Sequence, residues 1–235
     1  VRTPVKNLVT MSATHIGMLA LLGLEHKIAG HSMTELVYHR AVRRRIEQGE
    51  VIETGNPEQI NLEQIIELNP GLLMASGFEQ MPRSMELLSK AGVPVVYNIE
   101  WMEPTPLGRA EWLKFVALFF EKSGEADSIF NKIEEQYLAC RAQAAAARKK
   151  PGVLVGNNYK GTWYLPGGRS NVAVLLKDAG AQYRHAADTS RGSLPLGFEA
   201  VLEGHLQDQY WINPGTATSI ESLLQEDGRY ANFTA

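Results

Sequence analysis

The chain has 235 residues, a formal net charge of −3 and a single cysteine. This length allows one domain or two with sizeable cores, and the weak negative charge gives no reason to expect a nucleic acid partner. No apolar run is long enough to cross a bilayer, and the one dense basic run, Arg40 to Arg45, has glutamates close by and favours a solvated helix face over a polyanion site.

The first half of the chain alternates short apolar strands with helical segments. Strands are predicted at residues 8–11, 27–30, 72–75 and 93–97, and helices at residues 15–22, 35–48, 62–68 and 82–91. Residues 51–61, which include Gly55 and Pro57, are predicted to form a loop. This alternation is typical of a parallel sheet covered by helices on both faces. It predicts a first α/β lobe over residues 1–106.

A long helical stretch follows the first lobe. Apolar residues recur every three or four positions from Glu111, Ser123-Gly124-Glu125 interrupts the pattern, and a second helix is predicted from Ala126 to Lys150. At about 1.5 Å per residue this second helix would span roughly 37 Å. Residues 107–150 are therefore predicted to form a helical region with one long, rigid helix between two lobes. Cys140 lies on this helix beside alanines and is predicted to be a buried structural thiol.

The second half of the chain repeats the alternation. Strands are predicted at residues 153–155, 182–185 and 210–213, helices at residues 171–177, 198–202 and 219–225, and loops at residues 156–170 and 188–195. They predict a second α/β lobe over residues 151–235, again with a parallel sheet. This lobe ends without a closing strand, so we expect it to be a shortened one.

Polar and aromatic side chains follow the predicted strands, at the edge where parallel sheets bind ligands. The loop at residues 161–170 combines glycines with Trp163 and Tyr164, which suits the wall of a site for a large planar ligand. The alternative is that both aromatics form a short strand packed into the second lobe. Arg169 and Arg191 suit anionic groups such as carboxylates, although Arg191 also fits a solvated loop end. The candidate ligand contacts are Ser12, His15, Phe78, Trp101, Trp163, Tyr164, Arg169 and Arg191.

Two other kinds of site are alternatives to this one. His15 and His31 each follow a strand and, with Glu100, suit a bare Zn²⁺ or Mn²⁺ ion, whereas His26, His39 and His205 are expected to be ordinary surface or helix-end residues. A two-lobed transferase is the less favoured alternative. The chain has no dinucleotide-binding glycine motif, no Walker loop and no serine elbow, so no catalytic residue is assigned.

Several motifs together resemble one family. Residues 8–30 (LVTMSATHIGMLALLGLEHKIAG), 61–75 (NLEQIIELNPGLLMA), 163–170 and 195–201 (PLGFEAV) are similar, in the same order, to the substrate-binding proteins of ABC importers for iron complexes and cobalamin. Gly71 stands where those proteins usually have aspartate, a departure that should not change the fold. The resemblance covers nearly the whole chain.

The resemblance implies a fold and a function. The expected fold class is α/β, with two Rossmann-like lobes joined by a single long α-helix and a ligand cleft between the lobes. The implied function is non-catalytic capture of a ferric siderophore, haem or corrinoid and its delivery to an ABC importer permease. Glu199, within PLGFEAV, is the implied docking residue of the second lobe, and Glu79 or Glu86 that of the first.

The resemblance also implies where the protein acts and with what. Such proteins are exported, either to the periplasm or as membrane-anchored lipoproteins, so we expect a signal segment to have been removed. We expect a monomer without a resident cofactor, since the ligand itself would be the iron or cobalt complex. The residues do not distinguish a siderophore from haem or cobalamin.

Overall fold

The computed structural model describes residues 1–56, 59–77 and 82–233. The chain divides into two units, each with its own core. The first unit comprises Val1–Met102 and Arg109–Ile133, and the second unit comprises Glu103–Gly108 and Glu134–Ala235.

The first unit contains a five-stranded sheet in the order β3-β2-β1-β4-β5, and each neighbouring pair of strands is parallel. Its strands are β1 (Leu8–Thr10), β2 (Ile28–His31), β3 (Ile52–Glu53), β4 (Leu72–Ser76) and β5 (Val95–Asn98). Four of them match predicted strands. The short edge strand β3 lies in the segment predicted as a loop, and that prediction is wrong. Val51, Ile52 and Thr54 are β-branched, which was the available signal.

Helices cover both faces of this sheet, because successive side chains of a strand point to opposite faces. Leu8, on one face, belongs to a core with residues of α1 (Ala13–Leu21), α2 (Arg40–Glu47), α5 (Pro106–Leu118) and the first turns of α6 (Ser123–Ala146). Val9, on the other face, belongs to a core with residues of α3 (Leu62–Leu68) and α4 (Arg83–Lys90). The predicted helix over residues 35–48 begins later, at Arg40, because Val37 is extended and buried.

The long helical stretch differs from its prediction at both ends. Helix α5 begins at Pro106, since proline is favoured in the first turn, where its missing N–H costs nothing. The interruption lies at Glu121, which adopts a left-handed conformation with φ of 57°, and Ser123 already opens α6. Helix α6 ends at Ala146 rather than at Lys150. Cys140 on α6 is exposed, so the predicted buried thiol is wrong.

The second unit has a two-stranded parallel sheet and a three-stranded antiparallel sheet. Its elements are β6 (Val153–Val155), β7 (Asn158–Tyr159), β8 (Thr162–Pro166), α7 (Asn171–Asp178), β9 (Ser193–Gly197), α8 (Phe198–His205), β10 (Tyr210–Ile212) and α9 (Ile220–Glu226). Strands β6 and β10 are parallel, as predicted, whereas β7, β8 and β9 form antiparallel pairs.

The structure corrects three predictions for the second unit. The predicted loop at residues 156–170 contains a hairpin, in which Lys160 and Gly161 form the two-residue turn with φ of 50° and 89°. Two left-handed residues are what a tight hairpin turn requires. The predicted loop at residues 188–195 contributes the start of β9. The predicted strand at residues 182–185 is reduced to one bridge between Gln182 and Gly152.

The core of the second unit is built around Trp163. Its ring is fully buried, and its Nε1–H donates to the carbonyl oxygen of Val155 at 2.8 Å. Four other aromatic rings lie within 5.5–6.2 Å of it, centroid to centroid: Phe198, Trp211, Tyr230 and Phe233. The predicted α/β class is thus confirmed, with an antiparallel sheet added in the second unit.

Candidate functional site

The carboxyl ends of β1 and β2 hold two buried histidines. His31 ends β2, and its Nδ1 lies 2.7 Å from the hydroxyl of Thr10. His15, in the first turn of α1, is fully buried, and neither of its ring nitrogens has a hydrogen-bond partner within the described residues. Burial and the neighbouring His31 lower the pKa of His15 to about 4, with the backbone of Met74 opposing only part of this. His15 is therefore a neutral interior residue, and its predicted role as a ligand contact is wrong.

Ser12 precedes α1 and caps it. Its Oγ accepts the backbone N–H of Thr14 at 3.3 Å and lies 2.8 Å from the Thr14 hydroxyl. The side chain remains half-buried, at the carboxyl end of β1. Ser12 therefore has a structural role as an N-cap and is also accessible at the edge of the sheet where ligands bind.

The alternative metal site of His15, His31 and Glu100 does not form. Glu100 is buried, and its Oε1 lies 3.4 Å from the Nη2 of Arg109, so its charge is already compensated. Nowhere in residues 1–56, 59–77 and 82–233 do three His, Cys, Asp or Glu side chains converge as a set of metal ligands. Arg109, nine residues further along the chain, pairs with Glu100 and removes it from such a ligand set.

Trp101 lies in the 3₁₀ helix Glu100–Met102, directly after β5. Its ring is 48% exposed, yet its Nε1–H donates to the carbonyl oxygen of Gly77, after β4, at 3.2 Å. The neighbouring Ile99 and Met102 are exposed as well. A held indole with apolar neighbours forms a flat surface on which a planar ligand can stack. The predicted contact Phe78 and the predicted docking residue Glu79 lie outside the described residues.

A polar hollow of about 570 Å³ lies at the carboxyl ends of β2 and β3, and sequence reasoning missed it. Met33, Glu35, Glu53 and Gln59 are among the residues that line it. The carboxylate of Glu53 accepts the backbone N–H groups of Met33 and Thr34 at 3.0 and 2.7 Å. Desolvation raises the pKa of Glu53, but hydrogen bonds from Thr34 and Met33 outweigh it and the pKa falls below its usual value. Glu53 therefore stays ionised and holds the loop after β2.

Trp163 and Tyr164 lie on opposite faces of strand β8. Alternate residues of a strand point to opposite faces, so Trp163 lies in the core while Tyr164 is 51% exposed, opposite Pro195 of β9. The predicted role of Trp163 as a ligand wall is wrong, and the alternative, a strand packed into the lobe, describes it. Tyr164 remains an accessible aromatic.

Arg169 and Arg191 lie on two segments that continue the β8–β9 ladder. The backbone N–H of Gly167 donates to the carbonyl of Gly192 at 2.8 Å, and that of Arg169 to the carbonyl of Ser190 at 3.0 Å. Both arginines are exposed, and neither forms an ion pair with any residue that the structure describes. The fold therefore brings two available cations together from positions 22 residues apart in the sequence.

The remaining predicted docking residues are exposed glutamates. Glu86 lies on α4. Glu199, in the first turn of α8, has 83% of its side chain exposed and lies 3.7 Å from the guanidinium of Arg229. That guanidinium also stacks 4.2 Å above the ring of Phe198. An exposed ion pair of this length contributes little to stability, so Glu199 is accessible to a partner.

Comparison with known families gives one match over nearly the whole chain. The sequence profile described as periplasmic binding protein matches residues 8–235. Among curated proteins, two uncharacterized lipoproteins of Methanocaldococcus jannaschii align with the whole chain, at 23% identity over 245 residues and at 28% identity over 251 residues. The chain spans 58% and 62% of the lengths of these relatives.

Solved structures with the same fold include three bacterial periplasmic proteins. The periplasmic haem-binding protein HutB of Vibrio cholerae has a TM-score of 0.73 and 16% identity, covering 97% of this chain and 85% of that one. A periplasmic haem-binding protein of Pseudomonas aeruginosa scores 0.70 at 19% identity, covering 94% and 77%. The vitamin B12-binding protein BtuF of Vibrio cholerae scores 0.68 at 15% identity, covering 97% and 82%.

The TM-scores of 0.68 to 0.73 establish a shared fold. The matched proteins are two-lobed periplasmic binding proteins, as the sequence predicted for this chain. Within the part of the chain that the structure describes, no helix combines the length and the apolar character needed to cross a membrane.

Proposed function

The chain belongs to the periplasmic binding protein family, and from this premise we propose that it captures a bulky metal complex, namely haem, a ferric siderophore or a corrinoid, and delivers it to an ABC importer permease. Relatives in Vibrio cholerae and Pseudomonas aeruginosa bind haem or vitamin B12, which supports this ligand class. Two curated relatives are lipoproteins, which supports a place outside the cytoplasm, attached to a membrane or in the periplasm.

The observation that carries this proposal is the surface around Trp101. An indole left 48% exposed but fixed by a hydrogen bond to Gly77 has lost much of its rotational freedom before any ligand arrives. Exposed Ile99 and Met102 extend the apolar surface beside it. A porphyrin or corrin ring that covers these side chains would remove apolar area from water at about 25 cal/mol per Å². The chemistry thus favours a large, flat and partly apolar ligand.

Arg169 and Arg191, in the second unit, are cations that can recognise an anionic ligand. Both are exposed, and a guanidinium binds carboxylates through two parallel hydrogen bonds. Haem propionates and anionic siderophores carry such groups, whereas the side chains of cyanocobalamin end mainly in amides. The two arginines therefore favour haem or an anionic siderophore within the proposed ligand class.

The test of ligand binding is a titration with haemin, cyanocobalamin and several ferric siderophores, followed by the visible absorbance of the ligand. We expect one coloured complex to bind saturably, and Trp101→Ala to weaken it about tenfold. Tyr38→Ala is the matched control, since Tyr38 is an aromatic residue of the same unit that is 86% exposed. Unchanged affinity in Trp101→Ala, or no saturable binding of any complex, would contradict the proposal.

The arginines are tested with the same ligands. Arg169→Ala and Arg191→Ala should each weaken binding of a carboxylate-bearing ligand several-fold and leave cyanocobalamin unaffected. Lys160→Ala, which removes an exposed cation of the same unit, is the control. Equal weakening of all ligands would indicate a general loss of structure instead of lost charge recognition.

Delivery to the permease is proposed to use Glu199 and Glu86. Charge reversal at an exposed site should weaken docking without unfolding the protein, because such pairs contribute little to stability. We expect Glu199→Arg to abolish stimulation of ATP hydrolysis by the cognate importer in nanodiscs, and Glu86→Arg to reduce it. Glu221→Arg, on exposed α9, is the control. Full stimulation by Glu199→Arg would remove Glu199 from the docking surface.

A further inference from the structure

A pair of histidines in the second unit lies outside the site described above. His205 is the last residue of α8 and is 2% exposed, and His185 lies in the turn before β9 and is half-buried. Their Nε2 atoms face one another at 3.4 Å, with ring centroids 5.5 Å apart. On the other side of the His205 ring, Nδ1 lies 2.6 Å from Oδ2 of Asp208.

Asp208 determines which nitrogen of His205 carries the proton. An ionised carboxylate only accepts hydrogen bonds, so Nδ1 of His205 must be the donor. In the neutral ring, Nε2 then has a free electron pair, and it points at His185. A buried imidazole with one nitrogen bound to a carboxylate and the other presenting an electron pair is the form in which histidine binds metals.

The distance between the two Nε2 atoms suits a shared cation as well as it suits a long hydrogen bond. A good hydrogen bond from nitrogen is about 2.7–3.2 Å long, and 3.4 Å exceeds that range. Two nitrogens bound to one tetrahedral zinc, each at about 2.0–2.1 Å, lie roughly 3.4 Å apart. The observed separation is therefore the one that a divalent ion bound to both rings would set.

We propose that His185 and His205 bind a divalent transition metal ion of the Zn²⁺ class through their Nε2 atoms, with Asp208 orienting His205. In the described residues no third His, Cys, Asp or Glu completes a ligand set, so water would occupy the remaining positions and binding would be weaker than at a structural zinc site.

The charges around the pair are mixed. Arg184, next to His185, opposes a cation, but its guanidinium donates to the carbonyl of Gly204 at 3.1 Å. The negative charges of Asp188 and Asp208 both favour a positive charge at His185. The carboxylate of Asp188 accepts the backbone N–H of Ser190 at 2.8 Å, and within the described residues it does not form a three-residue ligand set with the two histidines.

The test uses Zn²⁺ and Co²⁺ alone, with the whole chain after chelator treatment. We expect saturable Zn²⁺ binding by calorimetry, and visible absorption bands typical of low-coordinate Co²⁺. His185→Gln should abolish both, and it spares the His205–Asp208 contact and therefore the fold. Asp208→Asn should weaken Zn²⁺ about tenfold or more by releasing the orientation of His205. His39→Gln, an exposed histidine of the first unit, is the matched control and should bind as the wild type does.

Three outcomes would overturn the proposal. They are no saturable Zn²⁺ binding, unchanged binding in His185→Gln, and binding that survives in His185→Gln but is lost in His31→Asn. The last result would assign the metal to the histidines of the first unit. These measurements involve no haemin, corrinoid or siderophore, so their failure leaves the proposed transport function untouched, and failure of the ligand titration leaves the zinc site untouched.

Discussion

The two units of this chain bury their apolar residues in different ways. The first unit spreads small and aliphatic side chains over both faces of a five-stranded parallel sheet, so that no single residue dominates either core. The second unit has two smaller sheets and gathers four aromatic rings around Trp163. Since each removed ring leaves a large cavity, the second unit should depend on one residue to a degree that the first does not.

The units also treat buried histidine differently. His15 in the first unit has no hydrogen-bond partner among the described residues, so it can only remain neutral. His205 in the second unit lies between Asp208 and His185, so it has an oriented tautomer and an electron pair to offer. Burial of an imidazole is thus a source of acid sensitivity in one unit and of metal-binding chemistry in the other.

The largest expected effect concerns the aromatic core of the second unit. Trp163→Ala should lower the free energy of unfolding by about 3–5 kcal/mol, because a fully buried ring is lost. It also leaves the carbonyl of Val155 without its donor. Denaturant titration followed by circular dichroism measures the loss, and hydrogen exchange locates it in the second unit.

Leu19→Ala in the first unit is the comparison variant for this core. Leu19 is also fully buried, on α1, and its truncation should cost about 2–5 kcal/mol and reduce protection of first-unit amides. If Trp163→Ala lost less free energy than Leu19→Ala, the second unit would not depend on its aromatic cluster as the geometry indicates.

Acidification should reveal the unpartnered histidine of the first unit. The pKa of His15 falls from 6.5 to about 4 on folding, so the folded state is more stable with the neutral ring than with the protonated ring. Its contribution to stability is complete above pH 6.5 and is lost as the pH falls towards 4. At about 1.36 kcal/mol per pKa unit, the loss is roughly 3 kcal/mol. Unfolding free energies measured from pH 7 to pH 4 test this.

A variant without the titrating group isolates the effect of His15. In His15→Leu, the free energy of unfolding should fall less steeply between pH 6.5 and pH 4. The proton that the wild type takes up at this ring on unfolding is no longer taken up. His26→Gln removes an exposed histidine and should leave the decline as it is. An identical decline in wild type and His15→Leu would show that acid unfolding has another cause.

The sequence predicted best the strands, helices and helix caps, which depend mainly on residues close along the chain. Short apolar runs located β1, β4 and β5, period-3.6 patterns located the helices between them, and Ser12 and Asn61 cap α1 and α3 as their types suggest. The hairpin of β7 and β8 was missed because its glycines and asparagines favoured a loop. Exposure alternates from Thr162 to Pro166 in the structure, but the residue types do not, since Trp163, Tyr164 and Leu165 are all large and apolar.

Exposure could not be predicted because it depends on residues far along the chain. Trp163 is buried by Trp211 and Tyr230, 48 and 67 positions later, whereas Trp101 remains exposed beside its own loop. His205 seemed an ordinary helix-end residue because its partner, His185, lies 20 positions earlier. Residue types can nominate a site, but the fold decides which of them reach the surface.

Helix α6 contributes to both units, and a contact in its second half should have a smaller effect on stability. Its first turns pack Ala126 and Phe130 into the first unit, whereas Tyr137 donates its hydroxyl to Oδ2 of Asp178 on α7 at 2.7 Å. Burial and then this hydrogen bond raise the pKa of Tyr137 to about 12. Tyr137→Phe should cost about 1 kcal/mol of unfolding free energy.

The neighbouring contact to the same carboxylate serves as the control. Arg141 lies 3.8 Å from Asp178 with half of its side chain exposed, so Arg141→Ala should cost less than about 0.5 kcal/mol. Denaturant midpoints of the two variants, measured side by side, decide between them. A larger loss in Arg141→Ala than in Tyr137→Phe would mean that charge, rather than the hydroxyl, joins the second half of α6 to α7.

The smallest expected effect concerns Cys140, which lies three residues after Tyr137 on α6. Its thiol is exposed on α6, so Cys140→Ala removes no buried contact, and alanine is the better helix former by a few tenths of a kcal/mol. We expect an unfolding free energy unchanged or slightly raised. In the native wild type, a thiol reagent should react with Cys140 as fast as it does in denaturant. Slow labelling that becomes fast only on unfolding would mean that this part of α6 is covered in solution, and the second half of the helix would then contribute to a core as its first half does.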